Sequence, residues 1–330
     1  MNIIGQDTAI EAFHDALRSG RIHHAWLLAG PRGVGKARFA QAAATRLLAE
    51  AAGPPIALPD LLTPPDHPTA RLLAAGSHPD FRRLERAYRE KTNDHARNIT
   101  VDQVRSLQTL FATTPSFSDR RAVIIDAADD MERGAANALL KNLEEPPAGT
   151  TFFLVSHAPG RLLPTIRSRC RVLRFGLIGD ADMVAILRAE LPDANDAEIA
   201  ALVAAGEGSP GRALRFAGLD IAALDQMIAA LIREGDAGNA RSVALARALA
   251  LKSAQPRYEA FLERVPGHVA AVARQRSGAA LADAIRVWEE ARSLAGAAVP
   301  LSLDPQATVF TLAGMLASLA SGSARIPSPA

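Results

Sequence analysis

Residues 30–36 read Gly-Pro-Arg-Gly-Val-Gly-Lys, and the residue that follows is Ala37. Gly30, Gly33, Gly35 and Lys36 keep the spacing at which successive backbone N–H groups and one ammonium converge on phosphate, with Val34 enclosed between the glycines. In phosphate loops that hydrolyse a nucleotide, the residue after the lysine supplies a hydroxyl to magnesium. Alanine has none, so this loop can surround a phosphate but is short of a part needed to cleave one. ATP or ADP is the ligand class it fits.

A second candidate is Asp126, at the end of the apolar run Val123-Ile124-Ile125. Phosphate-loop enzymes keep there an acid that orients magnesium, and hydrolysing members follow it with a glutamate that polarises water. Here the next residue is Ala127, which accepts no proton. Asp129 and Asp130 read as the acidic, solvated start of a helix. Arg169, between Ser168 and Cys170, reads on its own as a surface or structural arginine.

These residues need elements to hold them. The run Ala25–Ala29 predicts a short buried strand feeding the glycine loop, and residues 36–50 predict a helix, which is the strand–loop–helix order a phosphate loop requires. Six prolines in residues 54–68 exclude a regular helix or central strand and predict a surface excursion. Thr100-Val101-Asp102-Gln103 is a capping-box pattern opening a helix with Val104, Leu107, Leu110 and Phe111 on one face. Residues 121–126, 152–155 and 171–175 predict further strands, and residues 135–145 a helix stopped by Pro146-Pro147. Strands alternating with helices over residues 1–175 predict a parallel sheet covered on both faces. Strand signals end after Gly176. Residues 180–191, 196–205 and 210–216 predict short helices, longer helices follow from about Ile221 to Ala320, and residues 321–330 read as a frayed tail. The expected domains are therefore 1–175, 176–218 and 219–320.

The chain has 330 residues, enough for two or three cores. It is 48% hydrophobic without an apolar run near the roughly 18 residues of a membrane span. Gln6, Asp7, Glu11 and Asp15 break the opening stretch, which does not read as a signal peptide. The single Cys170 excludes an internal disulfide and a thiolate-rich zinc site, and fits a reducing, cytoplasmic compartment. A net charge of +2 advertises no general affinity for nucleic acid. The basic run Arg82, Arg83, Arg86, Arg89 and Lys91, with Tyr88, is interrupted by Glu85 and Glu90 and reads as solvated charge on a strand edge or loop.

The stretch from Ala136 through Leu143-Glu144-Glu145-Pro146-Pro147, then Phe152-Phe153-Leu154 and Arg167-Ser168-Arg169-Cys170, resembles the bacterial clamp-loader branch of the AAA+ proteins. Ile4-Gly5-Gln6, His24-Ala25 and Gly76-Ser77-His78-Pro79-Asp80 fit the same family, and the resemblance covers most of residues 1–216. It implies an AAA+ nucleotide-fold domain, a small helical lid and a C-terminal helical collar that assembles a five-subunit ring. It implies motor subunits of gamma/tau type and a delta subunit as partners, primed DNA reached through the assembled complex, the sliding clamp met indirectly, and no membrane.

Motor subunits of that family keep Ser or Thr after the loop lysine, an Asp-Glu pair, and a lid arginine. This chain has Ala37, Asp126-Ala127 and, in the lid segment, Gly211, with Arg212 one position late. The pattern resembles the non-hydrolysing member, which supports ATP-driven clamp loading and presents the serine-arginine-cysteine arginine in trans to its neighbour's ATP. Arg169 inherits that role, the catalytic one assigned here. Two other readings remain open: an active motor-type ATPase with a replacement carboxylate, and a stand-alone phosphate-loop regulator. Many relatives carry four zinc-binding cysteines after the first loop helix. Residues 51–77 contain none, and the isolated His67 and His78 make a poor zinc site, so no zinc is expected.

Overall fold

The computed structural model describes residues 3–53, 56–59, 61–89 and 94–320. The expected tail at 321–330, Glu90 and Lys91 of the basic run, and residues 54, 55 and 60 of the proline-rich excursion lie outside the described residues. The chain divides into two compact units: one running to Glu190 and including Glu207–Gly211, the other comprising Leu191–Gly206 and the chain from Arg212.

The first unit holds helices α1 (Asp7–Arg18), α2 (Lys36–Ala52), α3 (Pro68–Ala74), α4 (Val101–Arg105), α5 (Leu107–Phe111), α6 (Arg133–Glu144), α7 (Pro164–Arg167) and α8 (Asp180–Glu190). Its strands are β1 (Ala25–Ala29), β2 (Phe81–Glu85), β3 (Tyr88–Arg89), β4 (Asp94–His95), β5 (Arg121–Asp126), β6 (Thr150–Ser156) and β7 (Arg171–Arg174). Five strands form one sheet in the order β2-β5-β6-β1-β7, every pair parallel, while β3 and β4 form a small antiparallel ribbon. The predicted α/β class is the observed one.

Strands β1, β5 and β6 read as unbroken apolar runs because both faces of the sheet are covered. Trp26, Leu28, Ile124, Phe153 and Val155 point to α1 and α2; Leu27, Val123, Ile125, Phe152 and Leu154 point to α4–α7. Phe13 of α1 sits 5.2 Å from the Trp26 ring, 6.0 Å from Phe39 and 5.5 Å from Phe153, the first two edge-on, so one aromatic cluster ties both helices to the sheet. The predicted capping box forms, Thr100 accepting from the Gln103 N–H while the Gln103 side chain accepts from the Thr100 N–H. The expected single helix behind it is two short ones, α4 and α5, divided at Ser106.

Of the two readings of the basic run, strand edge or loop, β2 takes the first over Phe81–Glu85. It carries Arg82, Arg83 and Glu85 because it is the sheet's edge, where charge blunts pairing with other chains.

The excursion after α2 is organised by Arg46, which is 2% exposed. Its guanidinium reaches Glu50 Oε1 at 2.6 Å and donates to the carbonyls of Ile56 at 2.7 Å, Leu58 at 3.2 Å and Leu62. His67 and His78 serve as local caps, each Nδ1 accepting a backbone N–H two residues on, from Thr69 and Asp80. That engages each ring at Nδ1, and among the described residues no group of three His, Cys, Asp or Glu side chains is placed to hold a metal.

The second unit is all-helical: α9 (Asp196–Gly206), α11 (Ile221–Glu234), α12 (Ala240–Leu249), α13 (Gln255–Ala273), α14 (Gly278–Ala298) and α15 (Pro305–Ala317), while α10 (Pro210–Arg215) begins in the first unit and ends in the second. Ile228, Phe261, Val265, Ala291, Val309 and Leu312 form its interior. Val287 is buried with them, whereas Phe310 is 40% exposed and Trp288 lies under the Arg292 guanidinium. Arg264, nearly buried, pairs with Asp225, which also meets His268 Nε2 at 3.0 Å. No helix among the described residues is long and apolar enough to cross a membrane.

Arg46→Met should leave three backbone carbonyls and the Glu50 carboxylate without their donor. Removing one partner of a buried, hydrogen-bonded ion pair costs about 3–5 kcal/mol. Calorimetry should show a lowered first-unit transition, and Arg46→Lys should not rescue it, since one ammonium cannot span four acceptors.

Candidate functional site

Because all five strands are parallel, their C-terminal ends share one edge, and that edge carries Gly30, Asp126 and the residues after Ser156. The loop leaves β1 where β7 lies beside it. A Cβ on Gly30 would fall 2.2 Å from the Phe175 carbonyl oxygen, so only glycine admits the two backbones so close. Gly33 and Gly35 have φ of +79° and +96°, the left-handed region that turns the chain back toward the start of α2.

The loop closes on itself through its carbonyls. Lys36, 3% exposed, donates from Nζ to Gly30 O at 2.7 Å and to Pro31 O. Ser209 Oγ donates to Arg32 O at 2.9 Å, and Gly211 N–H donates to Gly33 O at 2.9 Å. A Cβ on Gly211 would lie 2.9 Å from Gly33 Cα, so the position where a motor-type lid arginine was expected has no room for a side chain in this packing. Arg212, one position later, pairs with Glu263 at 2.9 Å in the second unit.

The loop's N–H groups behave differently. Those of Gly33, Val34, Gly35 and Lys36 make no hydrogen bond among the described residues, which leaves a run of donors of the kind that cradles phosphate. Beside it lies a cleft of about 170 Å³ lined by Arg32, Arg86, Asp126, Ala127, Asp130 and His157, among others. His157 Nδ1 is buried and unpartnered. Burial, together with the nearby Lys36 charge, pushes that imidazole below its ordinary range, so it stands neutral. Burial also lowers Lys36, to about 8, against the opposing pull of Asp129 and Asp126. The donor set therefore fits a phosphate.

It does not fit magnesium. Asp126 is 2.8 Å from the Arg83 guanidinium, which also contacts Glu85 at 3.1 Å. Glu85 is the residue directly opposite Asp126 in the parallel pairing of β2 and β5. Like charges at opposed positions repel, and Arg83 bridges both. With Ala37 and Ala127 in place, the magnesium hydroxyl and the water-polarising acid are both missing. Asp129 corrects the expected solvated helix start. It sits in a 3₁₀ turn, accepting from Ser156 Oγ at 2.7 Å and from the N–H groups of His157 and Ala158. It clamps the exit of β6 and thereby sets His157.

Arg169 follows α7 on the way to β7. Its guanidinium meets Glu144 Oε1 at 2.8 Å and donates to Thr165 O at 2.9 Å, with 34% of the side chain exposed. The adjacent Cys170 thiol is pushed up to about 12 by burial and is unreactive. Sequence reasoning brought Gly30, Gly33, Val34, Gly35, Lys36, Ala37 and Asp126 to this edge. It missed the role of Arg83, which depends on the register of β2 with β5, and His157, whose only signal is its place just after a buried strand.

A family model described as DNA polymerase III, delta subunit, matches residues 5–178. The DNA polymerase III subunit delta' of Pseudomonas aeruginosa is 40% identical over 195 residues, 59% of this chain and 56% of that protein. The delta' of Escherichia coli is 34% identical over 203 residues, 60% of this chain and 55% of that one. A subunit gamma from Buchnera aphidicola is 33% identical over 187 residues, covering 56% and 47%. The chain spans about half the length of the curated relatives it matches. With more than half of its residues under the family model, the chain belongs to the DNA polymerase III delta subunit family.

Proposed function

We propose that this chain acts as the delta-prime subunit of the DNA polymerase III clamp loader, a cytoplasmic, non-hydrolysing member of the ring. Residues 176–218 serve as its lid and 219–320 as its collar, with gamma/tau and delta subunits as neighbours. Primed DNA and the sliding clamp are met through the assembled complex. The observation that carries this reading is the composition of the sheet edge: a phosphate cradle with unpaired N–H donors beside an acid already neutralised by Arg83, between Ala37 and Ala127. Such a site holds ADP or ATP through Lys36 and the loop without turning it over. Catalysis is then exerted on a neighbour through Arg169, one face of which is held by Glu144 and Thr165 while part stays exposed.

In a reconstituted loader, Arg169→Ala should lower turnover at the adjacent motor site by about 10³-fold or more, the usual worth of an arginine finger. Unchanged loader ATPase and clamp loading would remove the finger assignment.

The purified single chain should bind ADP and show no ATP turnover; turnover that Lys36→Ala abolishes would instead favour a motor-type subunit. Binding should depend on pH in a definite direction. Lys36 titrates at about 8 in the free protein, and a bound phosphate favours the ammonium. Affinity is therefore full below pH 8 and falls above it, by at most about tenfold per pH unit. Titration calorimetry between pH 7 and 9 checks the slope, and Lys36→Arg, which does not titrate there, should flatten it.

A further inference from the structure

We infer that the polyphosphate site of this chain operates without a divalent metal, Arg83 occupying the carboxylate that would otherwise hold one. This rests on the nucleotide reading above and specifies its ligand as the metal-free nucleoside di- or triphosphate.

Magnesium requires near-ideal octahedral coordination by hard oxygens, and the protein normally contributes one or two of them. At this edge the hydroxyl position is Ala37, and the Asp126 carboxylate is engaged by Arg83 at 2.8 Å. Freeing Asp126 is opposed by the sheet itself. Glu85 lies opposite Asp126 in register, and Arg83 contacts both acids, so withdrawing the guanidinium would leave two carboxylates facing each other. The remaining acids near the cleft are committed as well: Asp130 pairs with Arg86 at 3.2 Å, and Asp129 accepts from Ser156, His157 and Ala158.

The charge that magnesium would bring to a polyphosphate is available from the chain. Lys36 and Arg32 stand at the loop, Arg32 also lining the cleft, and the N–H groups of Gly33, Val34, Gly35 and Lys36 are unpaired among the described residues. Guanidinium groups bind phosphate oxygens in pairs and need no water stripped from a metal ion. An anion stripped of its metal suits this cleft better than its magnesium complex, because the one acid a metal would seek is already neutral in effect.

The test is a titration of the purified full-length chain with a fluorescent ADP, once in millimolar magnesium and once in excess EDTA, followed by competition with inorganic pyrophosphate. The two affinities should agree within about threefold or favour EDTA, and pyrophosphate should compete without magnesium, as expected of a site whose charges come from Lys36 and arginines. Affinity tenfold or more tighter in magnesium overturns the inference while leaving the nucleotide reading intact. No ADP binding in either buffer overturns the nucleotide reading and this inference with it. As a second arm, Arg83→Gln combined with Ala37→Thr frees the carboxylate and restores the hydroxyl. That variant should gain a magnesium preference of about tenfold or more, and Mn²⁺ paramagnetic resonance should report a protein-bound ion in its ADP complex but not in the parent's. A folded double variant that stays indifferent to metal removes Arg83 from the explanation. The wild-type comparison needs no variant, so it decides the main point even where the substitutions disturb folding.

Discussion

The first unit depends on the close approach of β1 to β7. Gly30 ends one strand with no side chain because the Phe175 carbonyl of the neighbouring chain segment fills the space where one would stand. That approach seats β1 between β6 and β7, and parallel pairing brings the ends of all the strands to one edge. Phe39 on α2 packs edge-on against Phe175 at 5.1 Å, so the helix behind the phosphate loop is anchored to the same strand exit. The positions of Lys36, Asp126 and His157 relative to one another follow from this one arrangement of backbone, since ligands in open α/β sheets meet the chain at the carboxyl ends of the strands.

The charges along that edge are balanced within the protein. A buried ammonium, three arginines, three aspartates and one glutamate gather there, and each of these carboxylates is engaged by a specific partner. Asp126 and Glu85 share Arg83, Asp130 pairs with Arg86, and Asp129 receives the end of β6. An active hydrolase leaves an acid free for its metal and another for water. Here the same carboxylates stabilise the edge strand and the loop after β6. The alanines at 37 and 127 and the pairing of Asp126 with Arg83 thus leave this edge without the hydroxyl and the free acid that a metal-dependent hydrolase uses.

Much of this was legible in the sequence because it rests on local patterns. The apolar runs of β1, β5 and β6, the glycine spacing and the Thr100–Gln103 capping box each declare themselves within a few residues. What escaped depends on pairing between distant segments. β2 holds Phe81 and Leu84 among charges, too few apolar residues to announce a strand, and only the parallel register with β5 brings Arg83 to Asp126. Asp129 looked like a helix-start acid because its true partners lie 27 to 29 residues later. Gly211 was recognised as a departure from the motor pattern, but its tight packing on Gly33 could not be read from residue types.

A phosphate-loop motif is weaker evidence for bound nucleotide than its spacing suggests, and this loop shows why. Its carbonyls are used by the protein itself: Gly30 and Pro31 by Lys36, Arg32 by Ser209, Gly33 by Gly211. Those bonds alone give the glycines and the lysine a structural reason to be retained. The N–H groups have no such explanation. The fold satisfies these carbonyls of the loop while leaving the N–H donors of Gly33, Val34, Gly35 and Lys36 without a hydrogen bond among the described residues. An anion at the loop would accept from those N–H groups, which is the physical ground for proposing this edge as a binding site and not only as a turn.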